Sequence, residues 1–259
     1  MFLSIPKKKK MNVQTNNGGE TLDTFYHGKI RILQSRVGYR FSIEAPLLAD
    51  FIETDPQDEG LELGTANGIV SLLLSIKPFK RITALEIQKS LAELASRNIK
   101  LNGLQKRIQV IQQDLREFNP GKKYNVLFSN PPYFKGKSGR LSQSREMAIA
   151  KHELECTIFD VMSKTSELLK PKGRAYFVFS FKRRNDFIKA LDKNDLQMKK
   201  ERFVFPYKGQ EPNLFLSECD FVSNQVRQLS PLILYKRDGH YSEEAEQIFA
   251  GRLHAATLK

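Results

Sequence analysis

From about residue 60 the chain alternates between short apolar runs and longer segments with helical spacing. "GLELG" is a compact apolar strand that stops at Gly64, and "IVSLLLSI" after it has the length and pattern of a helix. "RITALEI" is a second strand. In "SLAELASRNIKLN" Leu91, Leu94, Ala95, Ile99 and Leu101 fall on one helix face. "RIQVIQQD" and "YNVLFSN" are strands three and four. "CTIFDVMSKTSELL" is a helix stopped by "KPKG", and "RAYFVFSF" is strand five. "RRNDFIKAL" is a further helix, "MKKERFVFP" and "NLFLSECDFV" are late strands, and "SPLILYKRDGHYSEEAEQIFAG" closes the chain.

Alternating βα units predict a parallel sheet with helices on both faces, and late strands with no helix between them predict an antiparallel edge hairpin. The expectation is therefore an α/β Rossmann-like sheet of seven mostly parallel strands. Residues 1–20, rich in Lys, Asn and Gly and without periodicity, read as a flexible basic tail, and 21–259 as a single domain.

Charge changes the picture. The 259 residues carry 42 Lys and Arg against 29 Asp and Glu, a net charge of +13. That excess favours a polyanionic partner bound through phosphate contacts. The basic residues gather at Lys7–Lys10, Lys135–Lys151, Lys182–Arg184 and Lys199–Arg202. No apolar run is long enough to span a bilayer, and "MFLSIPKKKK" lacks the order of a secretory signal. Cys156 and Cys219 show no metal-ligand or disulfide spacing. These features predict a cytoplasmic monomer with no metal and no membrane association.

The candidate chemistry lies at the strand ends. "ELGTANG" turns strand one into a helix, and Gly64 and Gly68 permit a sharp turn and close approach of a ligand. Its spacing is neither that of a dinucleotide fingerprint nor that of a phosphate loop with its Lys-Ser/Thr. Glu62, Glu86, Asp114 and Asn130 fall one per strand near four successive carboxyl ends, where open α/β sheets bind ligands. Acidic groups and the absence of a phosphate-binding lysine favour a nucleoside that carries positive charge. S-adenosylmethionine fits that description.

Strand four ends in "NPPY". Pro131 and Pro132 have fixed φ and no backbone donor, and each holds its predecessor extended. The Asn130 side-chain oxygen and the Pro131 carbonyl can then accept both hydrogens of a planar amino group, while Tyr133 offers a face for stacking a base. Held in this way, the nitrogen lone pair is aimed at an electrophile, and orientation with fixed dipoles supplies most of the rate. The loop "FKGKSGRLSQSREMAIAK" that follows supplies Lys135, Lys137, Arg140, Arg145 and Lys151 as phosphate contacts, with His152 in a structural or RNA-positioning role.

"NPPY" with "LELGTANG" resembles the class I S-adenosylmethionine-dependent methyltransferases that modify exocyclic amino groups. Across residues 25–240 the chain is similar to the bacterial valine-tRNA adenine-N6-methyltransferase family, through "IRILQSRVGYRFSIEAPLLADFI", "ELGTANGIVSLLL", "ALEIQKSLAELASRNIKLN", "NPPYFKGK", "AKHELECTIFD", "LLKPKGRAYFV" and "LSPLILYKRDGHYSEE". The resemblance implies methylation of N6 of the adenine beside the anticodon, adenine 37. It implies that Glu62, Gly64 and Gly68 lie along the methionine part of the cofactor, Glu86 on the ribose and Asp114 on the cofactor's adenine amino group. Thr65, Ile87 and Leu115 would stand beside them, and Phe41 and Ser42 would cover the cofactor. Asn130, Pro131, Pro132 and Tyr133 would handle the target adenine.

Three positions depart from the family pattern. Ala66 replaces the middle glycine of the turn, where a methyl group would crowd the cofactor if the residue needs positive φ. Glu44 stands for Asp and Lys151 for Arg, both with charge kept. Competing readings remain open at this point. One is a protein-glutamine N5-methyltransferase acting on release factors, whose substrate amide is a similar planar NH2. The others are a DNA adenine methyltransferase and a non-catalytic RNA-binding relative.

Overall fold

The computed structural model describes residues 19–131 and 156–252. The chain opens with a two-stranded antiparallel hairpin, β1 (Glu20–Phe25) and β2 (Ile30–Ser35). Glu20, assigned to the tail by composition, belongs to β1: it pairs with Ser35 and its carboxylate takes both arms of the Arg97 guanidinium at 2.7 Å. Helix α1 (Glu44–Phe51) leads into the main sheet.

The predicted alternation is present there. It runs β3 (Glu59–Leu63), α2 (Ile69–Leu74), β4 (Arg81–Glu86), α3 (Lys89–Leu101), β5 (Ile108–Gln112) and β6 (Tyr124–Ser129). Helix α4 (Ile158–Leu168), β7 (Leu169–Ser180), α5 (Arg184–Asp192), β8 (Gln197–Tyr207) and β9 (Leu214–Asp220) follow. Two short strands, β10 (Arg227–Gln228) and β11 (Leu232–Tyr235), precede helix α6 (Glu243–Phe249).

The strand order is β10-β8-β9-β7-β6-β3-β4-β5, with β11 also on β8. β3 to β7 are parallel neighbours, and β9 lies antiparallel between β7 and β8. The seven expected strands are thus present with their antiparallel hairpin. β10 and β11 add parallel pairing at the outer edge of β8. The order in which successive strands are added reverses between parallel neighbours β3 and β6, so the crevice at their carboxyl ends is the position where such sheets take ligands.

Helices cover both faces, which is why the central strands are apolar throughout rather than alternating. Tyr176 and Val178 of β7 point into one layer, with Leu48 of α1 and Leu72 of α2. Ala175, Phe177 and Phe179 point into the other, with Met162 of α4 and Phe187 of α5. Phe177 and Phe187 meet edge-on at 5.5 Å. Among the described residues no helix is long and apolar enough to cross a membrane.

Much of the late basic sequence is internally paired. Lys199 and Lys200 both reach buried Glu218, at 2.9 and 2.8 Å. Arg184 forks onto buried Glu201, at 2.6 and 3.0 Å, and Arg202 pairs with Glu244.

Candidate active site

A cleft opens at the carboxyl ends of β3 to β6. Its walls bring together Glu62, Gly64, Thr65, Glu86, Ile87, Asp114, Leu115, Asn130 and Pro131, residues that sequence reasoning collected from four separate strand ends. Pro132, Tyr133, Lys135, Lys137, Arg140, Arg145, Lys151 and His152 lie outside the described residues.

The β3–α2 turn is built from left-handed backbone. Gly64 has φ +76°, Ala66 +51° and Gly68 +85°. A Cβ at Gly64 would meet nothing within 4 Å, so that wall is open to a ligand. A Cβ at Gly68 would stand 3.3 Å from the Ala95 Cβ of α3. Gly68 therefore serves helix packing and is not part of the cleft wall. Ala66 does occupy the positive-φ conformation that its replacement of glycine made a concern, at a cost of about 1 kcal/mol. Its N–H donates to Glu86 Oε2 at 2.8 Å, which ties the turn to the end of β4. The other Glu86 oxygen accepts from Gln88 N–H at 2.9 Å.

Glu62 is buried beneath the turn, where its carboxylate accepts from Thr65 Oγ1 at 2.6 Å and from Ser71 Oγ. Burial pushes its pKa up to about 7 against the pull of those hydroxyls, with Glu86 adding to the rise. Asp114 heads the short turn Leu115–Glu117 after β5 and is gripped by the Arg116 guanidinium, which holds its carboxyl below the usual range. Ser129 Oγ donates to Leu63 O at 2.6 Å and locks the end of β6 to the end of β3. Next to it, Asn130 Oδ1 is buried and accepts no hydrogen bond from any of the described residues.

The segment before α1 differs from expectation. Phe41 packs edge-on against Phe25 of β1 at 5.0 Å, inside the core, and does not line the cleft. Ser42 donates to the Glu44 carboxylate at the start of α1. Tyr39 takes the position against the cleft, its hydroxyl pushed upward in pKa by burial and by Glu44, Glu86 and Glu62. The swap follows from the hairpin, which supplies Phe25 as a partner for Phe41. Gln88, Gln113, Ser129 and Cys156 also line the cleft and carried no motif that would have found them.

The site's donor set suits a cationic nucleoside. Acids stand near the ends of three strands, Glu62 lies buried against the Thr65 and Ser71 hydroxyls, and Asn130 has a free acceptor among the described residues. Among the described residues no lysine lines the cleft, and no group of three His, Cys, Asp or Glu is fit to hold a metal.

Sheet order, switch-point cleft and acidic strand ends define a class I methyltransferase fold. A model of the Methyltransferase small domain matches residues 40–203, and the chain belongs to that family. It is similar to the tRNA1(Val) (adenine(37)-N6)-methyltransferase of Flavobacteriaceae bacterium (strain 3519-10), 26% identical over 90% of this chain and 96% of the relative. It is also similar to the protein so named in Aliivibrio salmonicida, 27% identical over 74% of this chain and 89% of the relative. Among solved structures, a predicted O-methyltransferase, protein Atu636 from Agrobacterium tumefaciens, superposes with a TM-score of 0.63 at 18% identity, over 81% of this chain and 96% of that one.

Proposed function

We propose that this protein methylates N6 of adenine 37, beside the anticodon of a valine tRNA, with S-adenosylmethionine as methyl donor. The observation that carries the reading is the buried Asn130 Oδ1, without a partner among the described residues, on the wall of a cleft shared with the glycine turn. A buried acceptor left unpaired is costly, and an exocyclic amino group is a donor of the right kind to satisfy it. The names of the two relatives, matched over 96% and 89% of their own lengths, support the substrate.

When bound, S-adenosylmethionine supplies a methyl carbon made electrophilic by its sulfonium. Glu62, Gly64 and Thr65 would take its amino-acid end, Glu86 its ribose hydroxyls and Asp114 its adenine amino group. Asn130 and the Pro131 carbonyl would accept the two N6 hydrogens of the target and orient its lone pair. No strong general base is required, because the nitrogen becomes acidic as it is alkylated. The target base must leave its stack to enter, which costs least in a loop such as the anticodon's. A tRNA substrate implies activity in the cytoplasm.

The test is incubation of the pure protein with labelled donor and total tRNA from a strain lacking the gene. Label should appear as N6-methyladenosine in valine tRNA. Label in another nucleoside, or none in tRNA, overturns the reading.

A further inference from the structure

Asp114 is held by an unusual density of contacts from a single neighbour two residues away. Arg116 donates its backbone N–H to Asp114 Oδ1 at 2.9 Å, and its Nε is shared between Oδ1 and Oδ2 at 3.0 Å each. Its Nη2 completes the fork onto Oδ2. The Asp114 side chain is 17% exposed and lines the cleft, while that of Arg116 is 46% exposed and is absent from the cleft wall. Asp160 and Cys156, at the start of α4, also lie within the electrostatic reach of the guanidinium. Arg116 thus sits behind the acid, between the end of β5 and the first turn of α4.

An ionised carboxylate has about four acceptor positions, and Arg116 makes four contacts to them with only three hydrogens, the Nε hydrogen being shared between the two oxygens. A shared hydrogen satisfies neither oxygen fully, which leaves capacity for one donor from a ligand in the cleft. Bidentate guanidinium contact fixes the plane of a carboxylate as well as its charge. An unclamped Asp at a strand end would rotate about χ2 and spend part of its time directed at solvent or at local N–H groups.

We propose that Arg116 is a positioning residue for cofactor recognition: it orients Asp114 so that its remaining acceptor position reads the 6-amino group of the cofactor's adenine. This rests on the cofactor reading above. The clamp makes the site selective for a 6-amino over a 6-oxo purine. A 6-oxo group would bring a carbonyl oxygen against a carboxylate that has no proton to give and cannot turn away.

The experiment compares binding of S-adenosylhomocysteine and S-inosylhomocysteine by calorimetry, in wild type, Arg116→Ala and Arg116→Lys. The wild type should favour the adenosyl compound by about thirtyfold, the scale of one charge-assisted hydrogen bond. Arg116→Ala should weaken adenosyl binding about tenfold and reduce the preference to about threefold. Arg116→Lys, which keeps charge but not the fork, should fall between. Thermal unfolding of each variant separates a fold defect from a recognition defect, since a fold defect weakens both ligands equally and leaves their ratio intact. A wild-type ratio retained in Arg116→Ala and Arg116→Lys overturns the role of Arg116 alone. Absence of any preference in the wild type overturns the placement of the adenine at Asp114, and the proposal with it.

Discussion

The side-chain amide of Asn98, fully buried in α3, donates to the backbone carbonyl of Asn67 in the glycine turn at 3.0 Å. The same amide nitrogen donates to Leu33 O at 3.0 Å, and its oxygen accepts from Leu33 N–H at 2.7 Å. One residue therefore ties the N-terminal hairpin, helix α3 and the cofactor turn together. Asn98→Ala would leave three backbone groups unpaired in the interior, and should cost about 3 kcal/mol. Chemical denaturation should show that loss, with weaker binding of S-adenosylhomocysteine alongside it. An unchanged midpoint would contradict this account of how the turn is held.

Asn130→Ala removes the unpartnered acceptor without touching the turn. Turnover on tRNA should drop by about a thousandfold, the scale seen when a single preorganised group is deleted from a reaction centre. Affinity for S-adenosylhomocysteine should stay within about a factor of two. If cofactor binding is lost instead, Asn130 serves the cofactor rather than the target base.

Glu62 has a folded pKa of about 7 against an ordinary value of 4.5. Because the folded state holds this proton more tightly, the stability it contributes is fully present below about pH 4.5 and lost as pH rises through 7. The wild type should lose on the order of 3 kcal/mol across that window, and Glu62→Gln should not. Urea unfolding of both proteins from pH 4.5 to 8 checks the slope. Parallel curves would mean that Glu62 is not buried as described.

Two of the three left-handed positions of the turn should respond differently. Ala66→Gly relieves about 1 kcal/mol of backbone strain and adds a similar loss of unfolded-state restriction, so stability should change by less than about 0.5 kcal/mol. Gly68→Ala combines φ +85° with a 3.3 Å approach to Ala95, and should destabilise by about 2 kcal/mol. Thermal melting of the two variants ranks them, and the reverse order would refute the assignment of Gly68 to packing.

Lys200→Met should behave as a stability variant. It deprives buried Glu218, and exposed Glu53, of a partner and should cost about 2 kcal/mol. Its tRNA affinity, measured by filter binding at fixed salt, should match the wild type. A weakened RNA complex from a fully stable variant would return this cluster to the RNA surface.

The sheet was legible because buried parallel strands must be apolar runs and their helices must repeat every 3.6 residues, and both marks survive in one dimension. The order β5-β4-β3-β6-β7 follows from βα alternation and right-handed crossovers. The hairpin β1–β2 left no such mark. Its turn passes through Tyr26, His27 and Gly28 at φ +52°, +56° and +86°, of which only the glycine announces a turn, and it is stable through Asn98 and the core contacts of Ile30 and Ile32.

The sequence by itself determined the polar residues near four strand ends, since strand length and the glycine turn place Glu62, Glu86, Asp114 and Asn130 at one edge whatever else the chain does. Only the tertiary structure decided which neighbours complete them. It put Tyr39 rather than Phe41 against the cleft, Arg116 behind Asp114, and Lys199 and Lys200 on Glu218 rather than on a partner. Periodicity is a local property, written along the chain. Pairing of a side chain with a distant charge or ring depends on which surfaces fold against each other, and no spacing rule carries that.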